Sequence, residues 1–375
     1  MKKTFATLFL VAAAVVAGNA QGKWQLLETG SKVAARSECS LVAADGKLYL
    51  IGGDGPAQAV ESYDSKTATW TKKAVAPFTM HHLQATALHD KIYVLDAFYE
   101  GGYPDQVPLP NVYSYDIKKD SWQKLAEVPE NRRRGAAGEA VYNGKIYIVC
   151  GITRGHRSGT NSMFDEYDPA TDKWTKLPDA PHIRDHSMAV VVGDKLYALG
   201  GRNTSLHDAD NFMSFFDKVV LDVDCYDFKT GKWTTLDAKL PMGTGGGTAV
   251  NLDDKIYYIG GERATANRPN GPQKDVYRLD PLKDTHWEKV ADLNRARNGV
   301  GGAVLDHKIY IAGGAGGGPA GPPPPIGKPG MPGPPPNGAQ QGANPPANAG
   351  LPNGPPPGGN SGDRGDVALE VFSLK

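Results

Sequence analysis

The sequence predicts an all-β chain folded as a six-bladed β-propeller, and three observations predict it. Lys-(Leu/Ile)-Tyr occurs at Lys47, Lys91, Lys145, Lys195, Lys255 and Lys308. The spacing is close to the roughly 50 residues of a propeller-blade repeat. A Gly-Gly pair closes four of these runs, at Gly52-Gly53, Gly200-Gly201, Gly260-Gly261 and Gly313-Gly314. All six tryptophans, Trp24, Trp70, Trp122, Trp174, Trp233 and Trp287, fall at one position of the repeat.

In chain order, residues 1–20 read as a signal peptide. Lys2-Lys3 precede an apolar run from Leu8 to Ala17, and Gly18-Asn19-Ala20 supplies small residues for cleavage. The run is too short and wrongly flanked for a membrane anchor. The chain is therefore expected to be secreted or periplasmic, and monomeric. Residues 21–375 form the propeller. In the first repeat, Ser40 to Ala44 is a strand and Asp45-Gly46 a tight turn. Lys47 to Ile51 is a second strand, ended by glycines that let the chain bend. After a variable gap, Val60 to Tyr63 is a third strand, Asp64 to Thr67 a turn, and Trp70 opens a fourth.

Such a blade is apolar on both faces, so it is buried only by stacking in a ring. The tryptophans and the third-strand aromatics Tyr63, Tyr115, Tyr167, Tyr226 and Phe372 (Leu279 in the fifth repeat) fill the spaces between blades. Trp24 has no Lys-(Leu/Ile)-Tyr before it, and the last repeat, with its third strand at Val367 to Phe372, lacks a fourth strand. The N-terminal strand Trp24 to Leu27 should therefore complete the last blade and leave no sheet edge open. Ala315 to Asp363 interrupts that blade with 16 of the chain's 29 prolines and is expected to be a disordered Pro/Gly-rich loop. Arg364-Gly365-Asp366 has the form of an adhesion tripeptide, a match short enough to arise by chance.

Charge excludes one class of partner. With 41 basic and 41 acidic residues the net charge is zero, so nucleic acid is not expected. Cys39, Cys150 and Cys225 are odd in number and scattered, which favours buried free thiols; one disulfide plus a free thiol is the alternative.

The Lys-Ile-Tyr-x-x-Gly-Gly signature, with Tyr and Trp at fixed later offsets, resembles the Kelch repeat over nearly the whole mature chain. Repeats two and three depart from it, with Asp96-Ala97 and Cys150-Gly151 in place of Gly-Gly. The resemblance implies a propeller but no single chemistry, because one fold hosts many functions.

Candidate site residues follow from the repeat register. The loop entering the first strand and the loop leaving the second should share one face of the ring. That face gathers the gaps Ala97–Pro110, Ile152–Asn161, Arg202–Lys218 and Glu262–Lys274. Eleven positions before the repeat lysine lie Arg36, Arg134, Arg184 and Arg297, with Met80 and Thr244 as exceptions. Nine before it lie Glu38, His82 and His186, elsewhere Ala or Gly. With Arg154, His156 and Arg202 these make an Arg/His-rich mouth suited to a carbohydrate, acidic ones included, since guanidinium forks match carboxylates. The alternative is that the arginines bond backbone carbonyls. Glu139, on a first strand, must be paired or have a raised pKa, which makes it a further candidate. Asp165, Glu166 and Asp168 read as a solvated strand edge.

Three functional classes compete: a binding module for a glycan or a protein, a sugar mutarotase or epimerase, and a copper-radical oxidase. Gly261-Glu262 with Arg268 six residues on is similar to the Gly-Glu…Arg spacing of the secreted Kelch sialic-acid mutarotase. That resemblance implies Glu262 and Arg268 as catalytic residues, because ring opening needs an acid and a base. His81, His82, His156 and His186 could supply imidazoles for copper, but the Tyr-His dipeptide of those oxidases is absent. The adjacent His81 and His82 would point to opposite faces of a strand. No metal and no cofactor is expected.

Overall fold

The computed structural model describes residues 22–266, 268–316 and 368–374. The leader read over residues 1–20, the adhesion tripeptide and all but the first two residues of the proline-rich stretch 315–363 lie outside them. Among the described residues there are six four-stranded antiparallel sheets. Each is one blade, and the chain is a six-bladed β-propeller. Blade one runs Cys39–Ala44, Lys47–Gly52, Ala59–Asp64 and Thr69–Val75. Blades two to four open with strands Thr86–Leu88, Gly138–Tyr142 and Met188–Val192, and blade five with Thr248–Leu252.

The turn between first and second strands is built from residues that accept positive φ. Asp45 and Gly46 stand at 47° and 69°, and Asn143 and Gly144 at 47° and 75°. This is the primed turn whose twist matches the flanking strands. Second strands such as Lys195–Leu199 are buried beyond their lysine because neighbouring blades cover both faces. Cores therefore lie between blades: Val42, Tyr49 and Ile51 pack on Ile92, Val94 and Tyr115 of the next blade.

The ring closes as the sequence predicts. Lys23–Leu27 pairs antiparallel with Leu369–Ser373, outside Arg297–Leu305 and Lys308–Gly316. Trp24 stands opposite Phe372 with ring centroids 5.2 Å apart, and its indole N–H donates to the Ala291 carbonyl at 2.9 Å. The third strand of this blade starts at Leu369, two residues later than expected. Trp70, Trp122, Trp174 and Trp233 repeat the pairing with Tyr63, Tyr115, Tyr167 and Tyr226. All three cysteines are buried free thiols.

A belt of backbone hydrogen bonds runs around the axis. His82 N donates to Glu38 O, Ala136 to His82, His186 to Ala136, Gly246 to His186 and Gly299 to Gly246, at 2.7 to 3.0 Å. These six residues are the positions nine before the repeat lysine. All have φ between 51° and 62°, a region open to glycine but costly for other residues.

Candidate functional site

The loops that flank the inner strands meet on one face. Bridges join His81 to Phe98, Gly135 to Ile152, Asp185 to Arg202 and Gly245 to Glu262. Three of the four long gaps fold as hairpins there: Phe98–Glu100 with Val107–Pro108, Ile152–Arg154 with Ser158–Thr160, and Glu262–Thr265 with Arg268–Pro272. The fourth carries a 3₁₀ turn at Phe212–Asp217. Arg157 and Asp105, both exposed, tie the second and third blades' hairpins together, with one N–O contact of 2.7 Å.

Arg36, Arg134, Arg184 and Arg297 reach neither this face nor solvent. Each is 2% exposed or less, and each holds carbonyls and a third-strand carboxylate of its own blade. Arg184 Nη2 donates to Asp224 at 2.6 Å and Nη1 to the carbonyls of Asp222 and Gly200 at 2.9 and 3.3 Å. Arg297 pairs with Glu370 at 2.6 Å and bonds Gly313 and Ala368 carbonyls; Arg134 pairs with Asp165 at 2.8 Å; Arg36 pairs with Glu61. With the terminal guanidinium nitrogens engaged inside a blade, this set locks second strand to third. The carbonyl-bonding alternative fits the geometry, and the ligand-holding ring does not. Asp165 is accordingly buried, bridging Arg132 and Arg134 rather than lining a solvated edge.

A signal for this was present in the sequence. Glu61, Asp165, Asp224 and Glu370 each stand two residues before the third-strand aromatic. Blades two and five, which lack the arginine, have Tyr113 and Tyr277 at that position. Arginine and carboxylate are present together or absent together.

Glu139 is also elsewhere. It is buried between blades two and three, where Oε1 accepts the N–H groups of Leu95 and Asp96, each at 2.9 Å. Its carboxyl lies close to that of Asp96. Burial first, and then the neighbouring carboxyl, push Glu139 well above the usual range; burial pushes Asp96 up to about 7. Two buried carboxyls side by side disfavour each other's ionisation.

The mouth itself is lined from the first, second and third blades. Glu38, Asp54, His81, His82, Tyr103, Gln106 and His156 line a mouth of about 380 Å³. Below it a narrower space of about 70 Å³ enters the central channel past Glu38, His82 and His186. His82, His156 and His186 each offer a ring nitrogen within 4.8 Å of the others. His186 Nε2 lies 3.1 Å from His156 Nε2. His186 Nδ1 is 2.5 Å from Asp185, a buried carboxylate that also accepts from the hydroxyls of Thr160 and Thr204. His156 Nδ1 meets Gln106 Oε1 at 3.2 Å, and the same oxygen accepts the His156 backbone N–H. Burial holds His186 and His81 down to about 4 and keeps His82 and His156 well below the usual histidine range. These imidazoles are neutral at pH 7.

His81 and His82 do not diverge. His82 has φ 56° and is not in a strand, so the two rings meet with Nδ1 atoms 2.6 Å apart, and His81 Nδ1 lies 3.3 Å from Asp54. Glu38 Oε2 is 3.6 Å from His82 Nε2. Burial, with Asp54 and Glu262 nearby, raises the Glu38 carboxyl well above its ordinary value.

Arg202 and Glu262 come together at 2.9 Å, both buried, with the guanidinium 5.0 and 4.6 Å from the ring centroids of Phe215 and Phe216. Glu262 Oε2 accepts from Asn298 at 2.8 Å. Arg154 is exposed on its hairpin. The backbone of Arg268 pairs with Thr265; its side chain is outside the described residues. Sequence reasoning missed Asp54, Tyr103, Gln106 and Asp185, which lie in variable gaps or beside a more conspicuous neighbour. The Arg184-Asp185-His186 run was the nearest sequence pointer. Among the described residues, no helix is long and apolar enough to cross a membrane.

The Attractin/LZTR1 β-propeller family matches residues 13–269. Similar curated proteins include Kelch-like protein terF of Aspergillus terreus, 28% identical over 78% of this chain and 64% of its own length. Alpha-scruin of Limulus polyphemus is 30% identical over 55% of this chain and 21% of its own. Kelch-like protein 36 of Rattus norvegicus is 25% identical over 73% and 43%. The chain spans less than two-thirds of the length of each. The solved structure of YjhT covers 77% of this chain and 93% of its own at 18% identity, with a TM-score of 0.64, a likeness of fold.

Proposed function

The chain belongs to the Attractin/LZTR1 β-propeller family, a Kelch-type ring, and on that premise we propose that its mouth binds a carbohydrate outside the cytoplasm. One observation carries the reading: a cavity of about 380 Å³ lined by carboxyl, imidazole and amide groups, with the half-exposed Tyr103 at its rim. Its size is that of a small-molecule site. Planar polar groups match sugar hydroxyls, and an aromatic ring with one wet face can stack on the apolar face of a sugar. The lining offers the carboxyls of Glu38 and Asp54 and no free guanidinium, which favours a neutral sugar over the acidic one that the sequence suggested. Export rests on the residue 1–20 leader read from the sequence.

A second reading, acid–base exchange of anomers, draws on Glu38. Its carboxyl, raised well above its ordinary value by burial, lies 3.6 Å from His82 Nε2, and ring opening needs an acid and a base together. Glu262 suits that role less well, being engaged by Arg202 and Asn298. A protein partner is the remaining alternative.

Thermal shift of the mature protein against neutral sugars and uronic acids tests the proposal. A concentration-dependent rise with a neutral sugar, lost in Tyr103→Ala, is expected. A flat response to every sugar overturns it.

A further inference from the structure

We propose that His82, His156 and His186 form a binding site for a first-row divalent metal ion, Zn²⁺ fitting best, at the neck between the mouth and the channel.

Proton accounting leads there. The Asp185 carboxylate can only accept, so the proton of His186 is on Nδ1 and its Nε2 carries a lone pair. The backbone N–H of His156 donates to the Pro104 carbonyl at 2.8 Å and also points at the Gln106 amide at 3.2 Å, where an oxygen avoids setting donor against donor. His156 Nδ1 faces that oxygen and is therefore a donor, leaving Nε2 bare. Two bare nitrogens then stand 3.1 Å apart, which is repulsive unless a cation lies between them. In a tetrahedral site with Zn–N of about 2.0–2.1 Å, two nitrogens stand roughly 3.3 Å apart. His82 brings a third nitrogen within 4.8 Å, within reach of small ring rotations.

The surroundings match a metal centre. Asp185 and Gln106 orient two of the imidazoles through their other nitrogens, as outer-shell partners of metal-bound histidines do. Thr160 and Thr204 hold Asp185 in turn. Three imidazoles with one position left open suit Zn²⁺, and imidazole also accepts Cu²⁺ and Ni²⁺. Glu38 Oε2 lies 3.6 Å from His82 Nε2, beside the cluster.

The inference uses the proposed ligand site but does not rest on the carbohydrate reading, so the metal is titrated with no sugar present. The tag-free mature protein is stripped with EDTA and titrated with Zn²⁺ by calorimetry. Co²⁺ is added separately and its visible absorption recorded. One Zn²⁺ per chain is expected, with an intense four-coordinate Co²⁺ spectrum. His186→Ala should weaken affinity by at least 100-fold, and Asp185→Asn by 10- to 100-fold. His207→Ala, on an exposed loop, should leave it unchanged. Melting of each metal-free variant confirms folding, and His156→Ala replaces any variant that does not fold. Absence of binding by 100 µM Zn²⁺ overturns the site. So does binding that neither His186→Ala nor His156→Ala weakens.

Discussion

Arg184→Ala separates scaffold from site most sharply. The side chain is fully buried, forms an ion pair of 2.6 Å with Asp224 and bonds the Asp222 and Gly200 carbonyls. Truncation leaves the buried Asp224 with only His182 and Thr235 as partners and strands two carbonyls. Breaking a buried pair in this way costs about 3–5 kcal/mol. Unfolding entropy of about 2.1 cal/mol/K per residue over roughly 300 described residues gives about 0.6 kcal/mol/K, so the midpoint should fall by about 5–8 °C. Arg184→Lys, which keeps the charge and loses the fork, should fall between. Thermal melting by circular dichroism reads the loss, and titration of the folded variant with the bound sugar or Zn²⁺ should give near wild-type affinity. A shift under about 1 °C with binding abolished would refute the scaffold role and return the arginine to the ligand site.

Three further outcomes follow from the same geometry. Glu139 and Asp96 are raised above their unfolded values, so the native state holds extra protons and stability falls as pH rises from about 4 through about 7. The slope is up to about 1.4 kcal/mol per pH unit for each proton. Glu139→Gln keeps the Oε1 acceptor and removes one of the two raised carboxyls, so its melting point relative to wild type should climb over pH 5–7; a flat or falling difference contradicts the raised carboxyl pair. Trp24→Ala should cost about 3–5 kcal/mol by emptying the seam against Phe372, and should speed proteolysis at the chain ends. An unchanged rate would show that this strand does not close the ring. The thiols of Cys39 and Cys150, pushed up by burial to about 11 and about 12, should ignore a disulfide reagent until the protein is unfolded; reaction in the native state contradicts that burial.

The fold was legible because blade register repeats. Lys47 and its five counterparts mark second strands, the tryptophans mark fourth strands, and Trp24 without an upstream partner announces closure. The site was only partly legible. Arginines at a fixed offset looked like a ring of free donors, yet their counter-carboxylates lie 25 to 73 residues further on, a separation that hides pairing unless third strands are aligned as well. His82 and His186 were found through register. Their convergence with His156 depends on the left-handed belt and a hairpin whose length the repeat does not set. Asp54, Tyr103 and Gln106 lie in variable gaps, where spacing carries no information.

The central claim is that ligands enter at the face of blades one to three. Diffraction from crystals soaked in the sugar that most raises the melting temperature tests it directly. The account predicts density in the mouth between Tyr103, His156 and Glu38, with Arg184 still held by Asp224. Density at the opposite face of the ring, or against a displaced Arg184, would contradict it.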